Sequence, residues 1–182
     1  MRGAAVSNHK TCAPAFARSD DGLAICYEAA MTIKIYIDAD ACPVKEETYK
    51  VAVRHGLQSY VVSNAFIQIP QSPLIARIVV GAGADVADDW IAERVVAGDV
   101  VVTSDIPLAA RVLAKAAHAV APYGRAFTND SIGLALAQRA IMEHIRSTGE
   151  TTGGPPPFSA ANRSQFLQTL ERIVARERRS RL

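Results

Sequence analysis

Polar and apolar residues alternate where the first regular stretch begins: Ile33, Ile35 and Ile37 are separated by Lys34 and Tyr36. A β-branched run of period two predicts a strand ending at Asp38. The period then becomes helical. Val44, Thr48, Val51, Ala52 and His55 share one side, and Lys45, Glu46, Lys50 and Arg54 take the other. Pro43 suits the start of that helix and Gly56 its end. Tyr60-Val61-Val62 predicts a second strand. Residues 64–73 are bounded by prolines and too short for a crossover helix, so they read as a loop. A third strand over 74–80 ends in Gly81-Ala82-Gly83, and a helix with an acidic first turn runs from Asp85 to before Gly98. Val100, Val101 and Val102, followed by Thr103, have the unbroken apolar character of a strand buried on both faces.

Beyond it the pattern predicts an Ala-rich helix over 107–118, an edge strand near 119–121 and a turn at Pro122-Tyr123-Gly124-Arg125. A long helix follows over 130–146, with Ile132, Leu136, Ile141 and Ile145 on its apolar side. Glycines and prolines mark residues 149–163 as a linker. The last segment, 164–182, carries Phe166, Leu167, Leu170, Ile173 and Val174 at helical spacing. That stripe is too apolar to leave in water, so this helix is expected to dock on the domain.

The order of elements is that of an α/β fold with a mainly parallel central sheet over residues 31–148. Residues 1–30 have no sustained periodicity and read as a disordered N-terminal extension. A chain of 182 residues, 49% hydrophobic, can bury one substantial core. A net charge of +2 demands neither nucleic acid nor membrane as partner, and the arginines of the last stretch suit a solvated helix end. Cys12, Cys26 and Cys42 lack metal-ligand spacing, which argues against a disulfide framework or a zinc site and suits a reducing cytoplasm. No apolar run has the length to span a bilayer, and the first thirty residues lack the apolar core of a secretory signal.

Charge changes the picture at the strand ends. Asp38 and Asp40 follow the first strand, in the turn that lies at the carboxyl edge of a parallel sheet, where ligands bind. Asp105 follows the Val100 strand. Asp85, Asp88 and Asp89 open the helix before it, at spacings that share one helix face. So many carboxylates on one edge call for a divalent cation such as Mg²⁺ or Mn²⁺, which takes oxygen ligands and serves phosphodiester hydrolysis. Structural roles compete: Asp85 and Asp40 suit helix caps, and Asp88 and Asp89 suit the positive end of a helix dipole. Asp38 and Asp105 follow strands and have no evident cap to make. Cys42 lies beside the acids, which oppose a thiolate, and reads as a small packing residue. His55 and His118 fall at expected helix ends. Lys45, Arg111 and Arg125 are the candidates for phosphate contacts.

The stretch Asp38-Ala39-Asp40-Ala41-Cys42-Pro43-Val44-Lys45 resembles the bacterial YaiI/YqxD family, an uncharacterised group with a PIN-like domain. Gly83-Ala84-Asp85 with Asp88-Asp89-Trp90-Ile91, Val102 through Ala109, Pro122-Tyr123-Gly124-Arg125 and Gly153-Gly154-Pro155 extend the resemblance from about Met31 to near the C-terminus. It implies a PIN-like three-layer fold. In PIN domains, acids at two strand ends and on an intervening helix bind Mg²⁺ or Mn²⁺ and cut RNA. By that resemblance Asp38 is the first acid, Asp105 the later one, and Asp85, Asp88 or Asp89 the helical one. The reading that follows is a metal-dependent nuclease acting on RNA, with Asp38, Asp40, Asp88 and Asp105 catalytic and Asp85 and Asp89 as further metal ligands. A non-catalytic RNA- or protein-binding module is one alternative. An aspartyl-phosphate phosphatase of the HAD-like kind, using Asp38-x-Asp40, is the other.

Overall fold

The computed structural model describes residues 32–40, 42–83, 85–148 and 157–181. Its five strands are β1 (Lys34–Asp38), β2 (Gln58–Ser63), β3 (Ile75–Val79), β4 (Val100–Val102) and β5 (His118–Val120). They form one sheet in the order β3-β2-β1-β4-β5, and every neighbouring pair is parallel. The sheet is therefore wholly parallel rather than mainly so. The described helices are α1 (Lys45–His55), α2 (Val86–Arg94), α3 (Ile106–Ala114), α4 (Asn129–Ser147) and α5 (Ala160–Ser180). The loop between Ser63 and Ile75 joins the parallel neighbours β2 and β3 without a helix.

The alternation along β1 separates two cores. Ile33, Ile35 and Ile37 pack on one side with Val51 and Ala52 of α1 and with Phe166, Leu170, Ile173 and Val174 of α5. Tyr36 faces the other side, among Ala87 and Ile91 of α2 and Leu108 and Val112 of α3. The period-two rule thus produces three layers, helices on both faces of a sheet that is dry at its centre and exposed along β3. Gly56 closes α1 in the left-handed conformation, φ 66°, as a glycine at this position does.

Among the departures from the pattern-based expectation are two boundaries and one helix orientation. First, α5 begins at Ala160, four residues early. Ser159 accepts from the Asn162 N–H and the Asn162 side chain accepts from the Ser159 N–H, a capping box built with Asn instead of Glu. Second, α3 stops at Ala114, so His118 opens β5 instead of closing a helix, and its Nε2 lies 2.8 Å from Glu177 Oε1 of α5. Third, α4 is a correction of orientation: Ala135 is its buried residue and Ile132 is partly buried, while Leu136 and Ile141 stand exposed.

The proposed extension over 1–30 lies outside the described residues, as does most of the proposed linker. Among the described residues no helix is long and apolar enough to cross a membrane.

Candidate functional site

β1 and β4 are neighbours, with Ile37 opposite Val102, so the chain leaves both strands side by side. Asp38 then faces Thr103. The Thr103 hydroxyl donates to Asp38 Oδ2 at 2.8 Å and accepts the Asp105 N–H at 2.9 Å. One hydroxyl thus fixes Asp38 and ties the Asp105 backbone to it. Asp105 is also the N-cap of α3: its Oδ2 accepts from the Leu108 N–H at 2.8 Å. The expectation that Asp105 had nothing to cap is corrected here. Its other oxygen, Oδ1, accepts from Arg139 Nη1 of α4 at 2.6 Å, in a part-buried ion pair.

The remaining acids divide. Asp88, in the first turn of α2, is close enough to feel Asp38, Asp105 and Asp85; burial and then those three charges push its carboxyl up to about 6. Asp38 is raised as well, first by burial and further by Asp40 and Asp105, with the Thr103 bond working against the rise. Asp40 is exposed, and its Oδ1 accepts from the Asn64 N–H at 3.3 Å. Asp85 occupies the N-cap position of α2 with φ 64° but makes no capping bond through its side chain. Asp89 points away into an exposed ion pair with Arg111 at 2.7 Å, which occupies both of those candidates.

Lys45 Nζ donates to the Ala39 carbonyl at 3.3 Å and so stands beside the acidic turn. Arg125 lies elsewhere, in a cleft against α4. Cys42 is buried, and burial raises its thiol to about 11, which fits packing and opposes a thiolate nucleophile. Sequence reasoning missed Thr103 as the link between the acids, Asn64 as the partner of Asp40, and Arg139. Thr103 was legible as the last residue of the apolar run; Arg139 carried no signal, because only the fold brings it to Asp105.

The donor set is made of carboxylates, the hard oxygen ligands that Mg²⁺ and Mn²⁺ take, and the proton affinities of Asp38 and Asp88 are raised first by burial and then by the neighbouring carboxylates. By chemistry and charge these residues fit a divalent cation. Asp105 is already engaged by Arg139 and Leu108 and Asp40 by Asn64, and among the described residues no three His, Cys, Asp or Glu groups are arranged to hold a metal ion.

Helices on both faces of a five-stranded parallel sheet, with acids at the carboxyl ends of the neighbouring inner strands β1 and β4, define an α/β protein of the PIN-like three-layer class. Residues 36–176 match the family model described as "Uncharacterized BCR, YaiI/YqxD family", and the chain belongs to that family. It is similar to a UPF0178 protein of Caulobacter vibrioides, at 59% identity over 150 residues, covering 82% of this chain and 98% of that protein. A UPF0178 protein of Gluconacetobacter diazotrophicus is 58% identical over 147 residues, covering 81% and 96%. One from Rhodopseudomonas palustris is 55% identical over 148 residues, covering 81% and 94%. No solved structure matches the chain.

Proposed function

We propose that the carboxyl edge of the sheet is a divalent-metal-dependent site for phosphodiester hydrolysis, acting on RNA. The observation that carries this reading is the Thr103 hydroxyl, which binds the Asp38 carboxylate and the Asp105 N–H at the carboxyl edge, with the Asp88 carboxyl near enough to feel the charges of both acids. Asp38, Asp88 and Asp105 would hold Mg²⁺ or Mn²⁺, which supplies Lewis acidity and a water of lowered pKa when bound. Thr103 fixes Asp38 at the edge by donating to its Oδ2. Asp40 adds negative charge at the rim, and Lys45 offers a cation there to a phosphate. Such contacts go to the backbone of the nucleic acid and carry no base preference.

A second reading is favoured by one specific observation. Both oxygens of Asp105 are already engaged, by Leu108 and Arg139, which is the state expected of a module that retains the fold and binds without turnover.

Incubating the full chain with labelled single-stranded RNA in Mn²⁺, Mg²⁺ or EDTA separates the two. Cleavage in metal, none in EDTA, and a loss of at least about a hundredfold in Asp38→Asn are the expected results. Salt-sensitive binding with no cleavage in either metal would establish the second reading instead.

A further inference from the structure

The acidic edge does not end at Asp105. Ser104 and Ile106, the residues on either side of it, line a cleft of about 590 Å³ that runs between the 121–127 turn and α4. Its size suits a nucleotide-sized ligand. On the helix side, Gln138, Arg139, Met142 and Arg146 fall on one face, one above another. On the turn side stand Tyr123, Arg125 and Phe127.

The turn is rigid. Gly124 has φ 83°, and a β-carbon there would come within 2.6 Å of the Phe166 nitrogen of α5, so no other residue fits. Thr169 of α5 donates to the Gly124 carbonyl at 2.8 Å, and the Tyr123 ring rests edge-on against Phe158 at 5.6 Å. Tyr123 and Arg125, on either side of this anchor, are presented exposed and in fixed positions.

The charges of the cleft are not equally committed. Arg139 is shared between Asp105 and Glu143. Among the described residues Arg125 and Arg146 make no ion pair, yet both line the cleft. Arg139 and Arg146 are two turns apart, about 10 Å along the axis. Cations spread along a wall suit a phosphodiester chain better than a single terminal phosphate. The exposed Tyr123 ring on the facing side gives a base a surface on which to stack, which an acidic peptide would not need.

We propose that this cleft is a binding groove for single-stranded nucleic acid, with Arg125 and Arg146 on the phosphates and Tyr123 under a base, leading the strand to the edge at Asp105. Arg139 is the junction: its side chain lines the groove and bonds Asp105. The proposal rests on the reading of that edge as a phosphodiester site, and a metal-free binding measurement separates the two.

The test is the fluorescence anisotropy of a fluorescein-labelled ten-nucleotide single-stranded RNA with the full chain in EDTA, across a salt series. Wild type should bind, more weakly as salt rises. Arg125→Ala/Arg146→Ala should weaken binding at least about tenfold and flatten the salt slope by one to two. Tyr123→Ala should weaken it roughly fivefold or more, and Tyr123→Phe should retain it. Arg172→Ala, an exposed arginine of α5 outside the cleft, should stay within about twofold. The substituted arginines are exposed, and unchanged melting curves will show that the fold is intact. No binding by wild type, or a double arginine variant that binds like wild type, overturns the groove. Metal-dependent cleavage that survives unchanged in the double variant overturns the groove and leaves the hydrolytic reading standing. Groove-dependent binding without cleavage does the reverse.

Discussion

The two long helices at the end of the chain, α4 and α5, invite comparison. Both start with a capping box, Thr128 with Ser131 and Ser159 with Asn162, and they differ in length by only two residues, 19 against 21. Yet α5 sinks Phe166, Leu170, Ile173 and Val174 into the core, whereas α4 buries Ala135 and leaves Leu134 and Ile141 more than half exposed. Side-chain pairing follows the same division. From α5, Arg163 reaches the buried Glu47 at 2.7 Å, and Glu171 meets Arg54 and His55 of α1. From α4, Arg139 reaches Asp105 at the edge of the sheet. One helix closes a face of the sheet. The other is a wall beside a charged cleft, held by few apolar contacts and free to carry polar groups.

Removing an anchor of α5 should produce the largest effect. Phe166→Ala leaves a void where a fully buried ring now lies among Ile35, Val174 and their neighbours. The expected cost is about 3–5 kcal/mol, read as a fall in the urea midpoint. A loss below about 1 kcal/mol would show that α5 is not an integral layer, and the contrast with α4 would collapse.

The same contrast explains what the chain reveals before folding. The stripe from Phe166 to Val174 is legible because only one helical face is apolar, and the strands around Ile35 and Val101 are legible because alternation and an unbroken apolar run have one interpretation each. On α4 the apolar residues go round the helix, so Leu134, Leu136 and Ile141 define no single inner side, and a face centred on Leu136 and Ile141 was a natural expectation that packing did not follow. The strand-end positions of Asp38 and Asp105 can be read locally. Their partners cannot: Thr103 and Arg139 are 65 and 34 residues from the acids they bind, and only the β1–β4 pairing and the seating of α4 bring them there. The capping role of Asp105 was legible in Asp105-Ile106-Pro107, a cap residue with proline just inside the helix, but the position at a strand end drew the interpretation toward chemistry.

A smaller effect belongs to the acidic edge of the sheet, at Asp88 of α2. Asp88 holds its proton more tightly in the fold, to about 6, than the 3.8 of an unperturbed aspartate. Its contribution to stability is therefore fully present below about pH 4 and is lost as pH rises through 6. In EDTA the loss should be about 1 kcal/mol once solvent screening is allowed for. Asp88→Asn should flatten that part of the stability curve, and Mn²⁺ at pH 7 should stabilise wild type more than the variant. If wild type and Asp88→Asn run parallel from pH 4 to 7, Asp88 does not face the other acids as described.

The smallest effect should come from the outer face of α4. Leu134 and Ile141 are 63% and 58% exposed, and they lie seven residues apart on the same side of the helix. Truncating an exposed side chain removes little burial, and alanine is the better helix former, so Leu134→Ala and Ile141→Ala should each shift stability by less than about 0.5 kcal/mol in either direction. Urea midpoints taken at two protein concentrations, tenfold apart, check this. A cost above about 1 kcal/mol at both concentrations would mean that α4 is packed as α5 is, with its apolar side turned inward. A cost that appears only at the higher concentration would mean that a second copy of the chain covers these residues, because stability gained through association depends on concentration whereas stability gained within one chain does not.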